Sequence, residues 1–263
     1  MCSLTASKSI MKLSLAALIF SGLMGVSSLA LQAQNPTAVP VVLVETLDAA
    51  HVKDGDPVLV KTMQKVVLSE GKVVRKGAIL QGHVVSENAF HENPAPYARQ
   101  TPSMLSIHFD VLQLDSSKVP VKASLRAMAD VIDVNNASRK QYEDDLDNLG
   151  EFHLVGGEEV SGWDQKIRSD DGSVVGFERK DGNYARLIDN TGERGNAKSV
   201  HCDATQREQS VAVFSADACG LYGLDRVNLT SAGRSNGDIT LSRANGNVRL
   251  QRGTAALLMI ELR

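Results

Sequence analysis

Basic residues are not in excess over this chain of 263 residues: Lys and Arg number 28 against 31 Asp and Glu, a formal charge of −3. There is no basic stripe or arginine cluster to make the counterion-releasing contacts that dominate affinity for DNA or RNA, so no nucleic-acid binding is expected. No fixed-period repeat runs through the chain, which argues against solenoids and propellers. No catalytic or metal-binding pattern is complete either. Ser69 and Lys72 have the Ser-x-x-Lys spacing that some hydrolases align on a helix, but here it falls on an expected β-turn. His91 and Glu92 begin like a zinc-binding His-Glu-x-x-His helix, yet Ala95 stands where the second histidine belongs. The six histidines are scattered singly, and Asp-Gly pairs at 171–172 and 181–182 lack the alternating donors and closing Glu of a calcium loop. No cofactor and no metal site are expected.

The start of the chain has the three parts of a secretory signal. Lys8 and Lys12 supply a basic end, an apolar core runs from Leu13, and small residues lead to Gln32 and Ala33, with no acidic residue before Glu45. Cleavage is expected after Ala33, with Ala30 as second choice. An uncleaved anchor is the competing reading; Gly22, Gly25, Ser27 and Ser28 dilute the second half of the apolar run and favour cleavage. Cys2 precedes the apolar region, so it is not the lipid-carrying cysteine that follows one, and Met11 is an alternative start. The processed chain would carry 26 basic against 31 acidic groups, a charge of −5, with no membrane span. Its destination is the periplasm or the exterior. Cys202 and Cys219 would then be an even pair in an oxidising compartment, where a disulfide is the default; a reactive thiol at Cys219 is the weaker alternative.

Past the signal, short valine-rich runs alternate with Gly and Asp turns, the pattern of successive antiparallel strands. Val39 to Leu47, Val58 to Leu68, Val73 to Val85, Ser106 to Leu114 and Val119 to Met128 read this way, with a proline-containing loop at Glu87 to Ser103. The chain then turns polar from Asp130 to Gly150, with an acidic cluster at Glu143 to Asp147 and at most a short helix lacking an apolar face. A hairpin is expected around Asp181 and Gly182. Apolar density returns with a strand at Ser210 to Phe214, a run at Leu221 to Leu229, a hairpin about Ala244 to Gly246, and the apolar stretch Thr254 to Leu262, which must be covered on both faces. The expected fold is all-β: a barrel or sandwich built from the N-terminal segment 34–130 and the C-terminal segment 201–263, with a polar arm, 131–200, inserted between them after a signal at 1–33.

The run Lys53, Asp54, Gly55, Asp56, Pro57, Val58, followed by Gly71 to Gly82 with Lys76, Gly77 and Ala78, is similar to the entry strands of the TrbI-type β-barrel proteins of bacterial conjugation and secretion machines. Arg252, Gly253 and Thr254, with the apolar strand ending in Glu261, Leu262 and Arg263, resembles how those barrels close. The likeness covers about a fifth of the mature chain. It departs where Arg75 replaces the family's proline, where no proline-rich linker is found, and from Gly156 to Gly223, a stretch in which Val213 to Gly223 looks instead like uncharacterised exported bacterial proteins. The resemblance implies a related β-scaffold.

Together these features point to an exported binding or scaffolding protein of the cell envelope without catalytic activity, with an envelope protein or glycan as the expected partner. An envelope hydrolase and a secretion-apparatus component are the alternatives. Candidate partner contacts are Trp163, the only tryptophan, and the turn residues Asp171 and Asp181, because loops on rigid scaffolds carry binding more often than sheets do. Packing of Trp163 on the base of the arm is the competing explanation of that residue.

Overall fold

The structure, a computed structural model, describes residues 35–94, 99–115, 117–139, 151–189, 202 and 204–263; the signal-like start and the acidic cluster at Glu143 to Asp147 lie outside them. In chain order the first half contains β1 (Thr37–Leu43), β2 (Leu47–Asp48), β3 (Pro57–Thr62), β4 (Val66–Val67), β5 (Val73–Val74), β6 (Ile79–Asn88), β7 (Ser103–Leu114) and β8 (Ser117–Ala129). After helix α1 (Val131–Ser138) come β9 (Phe152–His153), β10 (Glu159–Val160), β11 (Lys166–Arg168), β12 (Val174–Arg179), β13 (Gly182–Arg186) and β14 (Glu208–Ser210). The chain ends with β15 (Gly220–Tyr222), β16 (Val227–Ala232), β17 (Asp238–Arg243), β18 (Arg249–Leu250) and β19 (Ala255–Leu262).

The fold is all-β, with six strands closing an antiparallel barrel. The first strand of the barrel pairs with the last, Val39 opposite Leu258, and also with β3; β3 pairs with β6, β6 with β7, β7 with β8, and β8 with β19. Alternation of side chains sends Val39 and Val41 of β1, Val121, Ala123 and Leu125 of β8, and Leu258 and Ile260 of β19 into one core with Val58, Leu80, Leu105 and Leu112. The long strand β7 serves three neighbours. Its first half, Ser103 to His108, pairs with β17, which pairs in turn with β16, while Val111 to Leu114 form the hairpin with β8.

Strands β1, β8 and β19 are covered on their outer faces as well. Ala38, Ala127, Ala129, Ala255 and Leu257 point away from the barrel and join a second core made by the middle of the chain, including Val160, Ile167, Val175, Leu187 and Phe214. These middle residues build a six-stranded antiparallel meander in the order β9, β10, β11, β12, β13, β14. The barrel side of the seam is mostly alanine, which lets the second layer come close without a cavity or a clash. A β-bulge in β8, where Leu257 and Leu258 of β19 face Ala127 and Leu125, leaves Arg126 over as the extra residue. Arg126 is 3% exposed, and its Nη2 donates to the carbonyls of Ile188 (2.5 Å) and Ala216 (3.3 Å), so the barrel wall grips the second layer through backbone oxygens. From the other side the Glu158 carboxylate accepts the Ala216 N–H.

Three local expectations change. Helix α1 has an apolar face: Asp130 caps it by accepting from the N–H groups of Ile132 and Asp133, and its Val134 and Ala137 are buried in the second core. The strand read at Ser210 to Phe214 ends at Ser210, because Ala212 takes a positive φ of 51° and folds Val211 to Phe214 into a buried turn. The runs on either side of Ala244 to Gly246 do not pair with each other. β17 stays with β7 and β16, whereas β18 crosses to β2 with Arg249 opposite Asp48, guided by the Val248 N–H donating to Ser103 Oγ at 3.0 Å. Cys202 and Cys219 form a disulfide, with Cα atoms 6.3 Å apart and both residues buried. Closing a loop of this span restricts the unfolded chain and stabilises the fold by about 3 kcal/mol. Among the described residues no helix is long and apolar enough to cross a membrane.

Candidate functional site

A broad hollow lies where the second sheet leaves the barrel. It is an open groove of about 760 Å³ lined by the residues after β3, the end of α1, the start of β9, the β12–β13 turn and the buried turn at Ala212 and Val213. One glutamine organises it. Gln64 reaches from the barrel into the second sheet, where its Oε1 accepts from the Ser210 hydroxyl and from the Ala212 N–H at 3.0 Å. Gly182 is required beside it: φ is +127°, and a Cβ there would lie 1.9 Å from Gln64 Nε2. Next to Gln64, Lys65 Nζ sits 3.2 Å from the Asp181 carboxylate, and the Lys65 carbonyl accepts the Tyr184 hydroxyl at 2.8 Å. The Arg179 guanidinium lies 5.0 Å from the centre of the Tyr184 ring and pairs with Glu208.

These contacts set the local electrostatics. The hydrogen bond from Lys65 holds the Asp181 carboxyl below its ordinary range, and burial pushes the Tyr184 hydroxyl up, helped by the charge of Asp181. Five basic residues line the groove, Lys65, Lys76, Arg139, Arg179 and Lys180, against two acidic ones, Glu178 and Asp181. The groove is therefore lined by an excess of positive charge in a chain whose formal charge is −3. The floor is apolar, with Met63, Phe152, Leu154 and Val213.

The three candidate contacts named from the sequence occupy three successive connections of the meander. Trp163 lies in the β10–β11 connection, Asp171 in β11–β12 and Asp181 in β12–β13, so Trp163 and Asp181 share one end of the sheet and Asp171 lies at the other. Trp163 is 76% exposed and so is not packed on the base of the arm. Asp171 is absorbed by its own turn: its Oδ1 accepts from the Ser169 hydroxyl at 2.5 Å and from the Ser173 N–H at 2.9 Å, and these bonds hold its carboxyl down to about 2. Asp181 alone of the three lines the groove.

A second constellation joins residues that are scattered along the chain. His83 of β6, His108 of β7 and Asp238 of β17 stand in one row across three paired strands, with Asp110 two residues beyond His108. His83 Nδ1 is 2.8 Å from Asp110, His108 Nδ1 is 2.7 Å from Asp238, and the two imidazole centres are 5.7 Å apart. Gly237 packs over His108, where a Cβ would come within 2.7 Å of Cε1. The neighbouring Ser106 hydroxyl bonds Thr240 at 3.0 Å rather than either histidine, so no nucleophile and base pair is assembled here. Among the described residues no group of three or more His, Cys, Asp or Glu side chains is arranged to hold a metal. The i, i+2 spacing of His108 and Asp110 on one strand face was the only local sign of this row. Its other members come from strand pairing that no local pattern encodes.

No protein family, curated protein or solved structure matches the chain.

Proposed function

We propose that this is an exported binding or scaffolding protein of the cell envelope, and that it holds its partner in the groove between barrel and second sheet. The observation that carries the reading is the groove itself. Its volume of about 760 Å³ lies within the range of roughly 300–1,000 Å³ usual for ligand sites, and its apolar floor is rimmed by a few charged groups. It opens beside Asp181, at the end of the meander that also presents the exposed Trp163. The signal-like start and the Cys202–Cys219 disulfide support export. The barrel core is filled by side chains and leaves binding to its outer surfaces.

The test uses Ser138→Trp, which fills the groove from an exposed position, and Trp163→Ala, each compared with the wild type for retention in the envelope fraction. Loss of retention in a variant with unchanged circular dichroism supports the reading; full retention of both folded variants removes it. A place in a secretion apparatus is the second reading, favoured by the TrbI-like residues, which fall on β3, β5, β6 and β19 and on the turns beside them. It requires ring-shaped oligomers on sizing and microscopy.

A further inference from the structure

We infer that the groove takes an anionic amphiphile: a single alkyl chain laid on the apolar floor with its negative headgroup at the basic rim. The inference rests on the groove being a binding site and adds the class of ligand. Two of the five rim cations are already engaged, Lys65 with Asp181 and Arg179 with Glu208. Among the described residues Lys76, Arg139 and Lys180 have no ion-pair partner and are exposed. Cations left in solution around an apolar surface recognise a ligand that is charged at one end and apolar at the other.

Other anions fit less well. A free phosphate sheds its hydration only for closely converging N–H donors, and the floor offers Met63, Phe152, Leu154 and Val213 instead. An acidic peptide adding as a strand needs an open sheet edge. Of the strands that border the groove, β12 is paired with β11 and β13, and β13 with β12 and β14; β9 is an edge strand, but at two residues, Phe152–His153, it is too short to seat an added strand. An anionic glycan calls for flat aromatic faces; Phe152 is the single aromatic among the groove's lining residues, and Trp163 does not line it.

The test is calorimetric titration of the purified, secreted protein with decyl phosphate, dodecyl phosphate, dodecyl maltoside and inorganic phosphate, all below micelle-forming concentrations. Dodecyl phosphate should bind in one equivalent, and each methylene removed should weaken it about fourfold if the chain is buried. The double variant Lys76→Glu and Lys180→Glu should weaken it on the order of tenfold with the fold unchanged, since exposed ion pairs contribute little individually. Ser138→Trp should abolish it. Equal binding of dodecyl maltoside, no effect of charge reversal, or inorganic phosphate binding as tightly as the alkyl phosphates each overturns the inference. If no alkyl phosphate binds while Ser138→Trp still releases the protein from the envelope fraction, the ligand class falls and the groove stands as a binding site. Failure of both experiments removes both.

Discussion

Leu257 and Leu258 are neighbours on β19, both fully buried, yet they point into different cores. Leu258 fills the barrel. Leu257 faces outward, the direction in which a barrel strand ordinarily meets water and in which truncation to alanine changes stability by less than about 0.5 kcal/mol. Here the meander covers it, together with Ile167, Leu187 and Phe214 of the same cluster. Leu257→Ala should therefore cost about 2–5 kcal/mol, the usual range for a buried leucine, and match Leu258→Ala in size. At roughly 2–4 °C per kcal/mol for a domain of this length, each variant should melt on the order of 10 °C lower. The assay is guanidinium unfolding followed by circular dichroism, with hydrogen exchange of the amides of the meander strands reporting on the second layer. If Leu257→Ala leaves the midpoint within about 0.5 kcal/mol of wild type, the second layer is not seated on the barrel and the two-core architecture is wrong. Faster exchange confined to the meander amides, with the circular dichroism transition unshifted, would also refute the joint burial.

Gly182→Ala should destabilise by about 1–3 kcal/mol, because it combines a forbidden φ with a collision against Gln64, and Gln64→Ala in the same chain should recover only the collision; denaturation midpoints decide this. Cys219→Ser should lower stability by about 3 kcal/mol, as should reduction of the wild type under unfolding conditions, and equal midpoints with and without reductant would contradict the disulfide's role. The Asp171 carboxyl should titrate at about 2 by NMR, and Ser169→Ala should bring it back toward 3.8. Because its folded value is depressed, the hydrogen bonds of the 169–173 turn are fully present above the ordinary carboxylate range and are lost as pH falls through about 2. A titration centred near 3.8 in the wild type would contradict the turn geometry.

The barrel was legible because its strands carry their own signal. Val58 and Val60 alternate in β3 and Ile107, Phe109 and Val111 in β7, and the unbroken apolar stretch of β19 demanded cover on both faces, which the two cores provide. What covers β19 was harder to see. The meander's core is assembled from single residues, Val160, Ile167, Val175 and Ala185, each in a strand of two to six residues surrounded by glycine and charge. Such strands are too short to show a period, so polar composition outweighed them. Helix α1 buries only Val134 and Ala137, which a test for an apolar stripe does not register. The basic groove draws Lys76, Arg139 and Lys180 from three distant segments, and the row from His83 to Asp238 depends on two strand registers. Both are products of topology rather than of spacing along the chain.

Because the opening strand finds its ladder against the closing one, with Thr37 opposite Ile260, the cylinder has a clasp formed by segments more than two hundred residues apart in sequence. Synthesis delivers β19 after the other five barrel strands. Until it arrives, β1 and β8 each lack a neighbour, so the nascent chain has two open seams and no complete interior. Closure then depends on joining strands across more than two hundred residues of intervening chain, a non-local pairing whose loop-closure entropy slows folding.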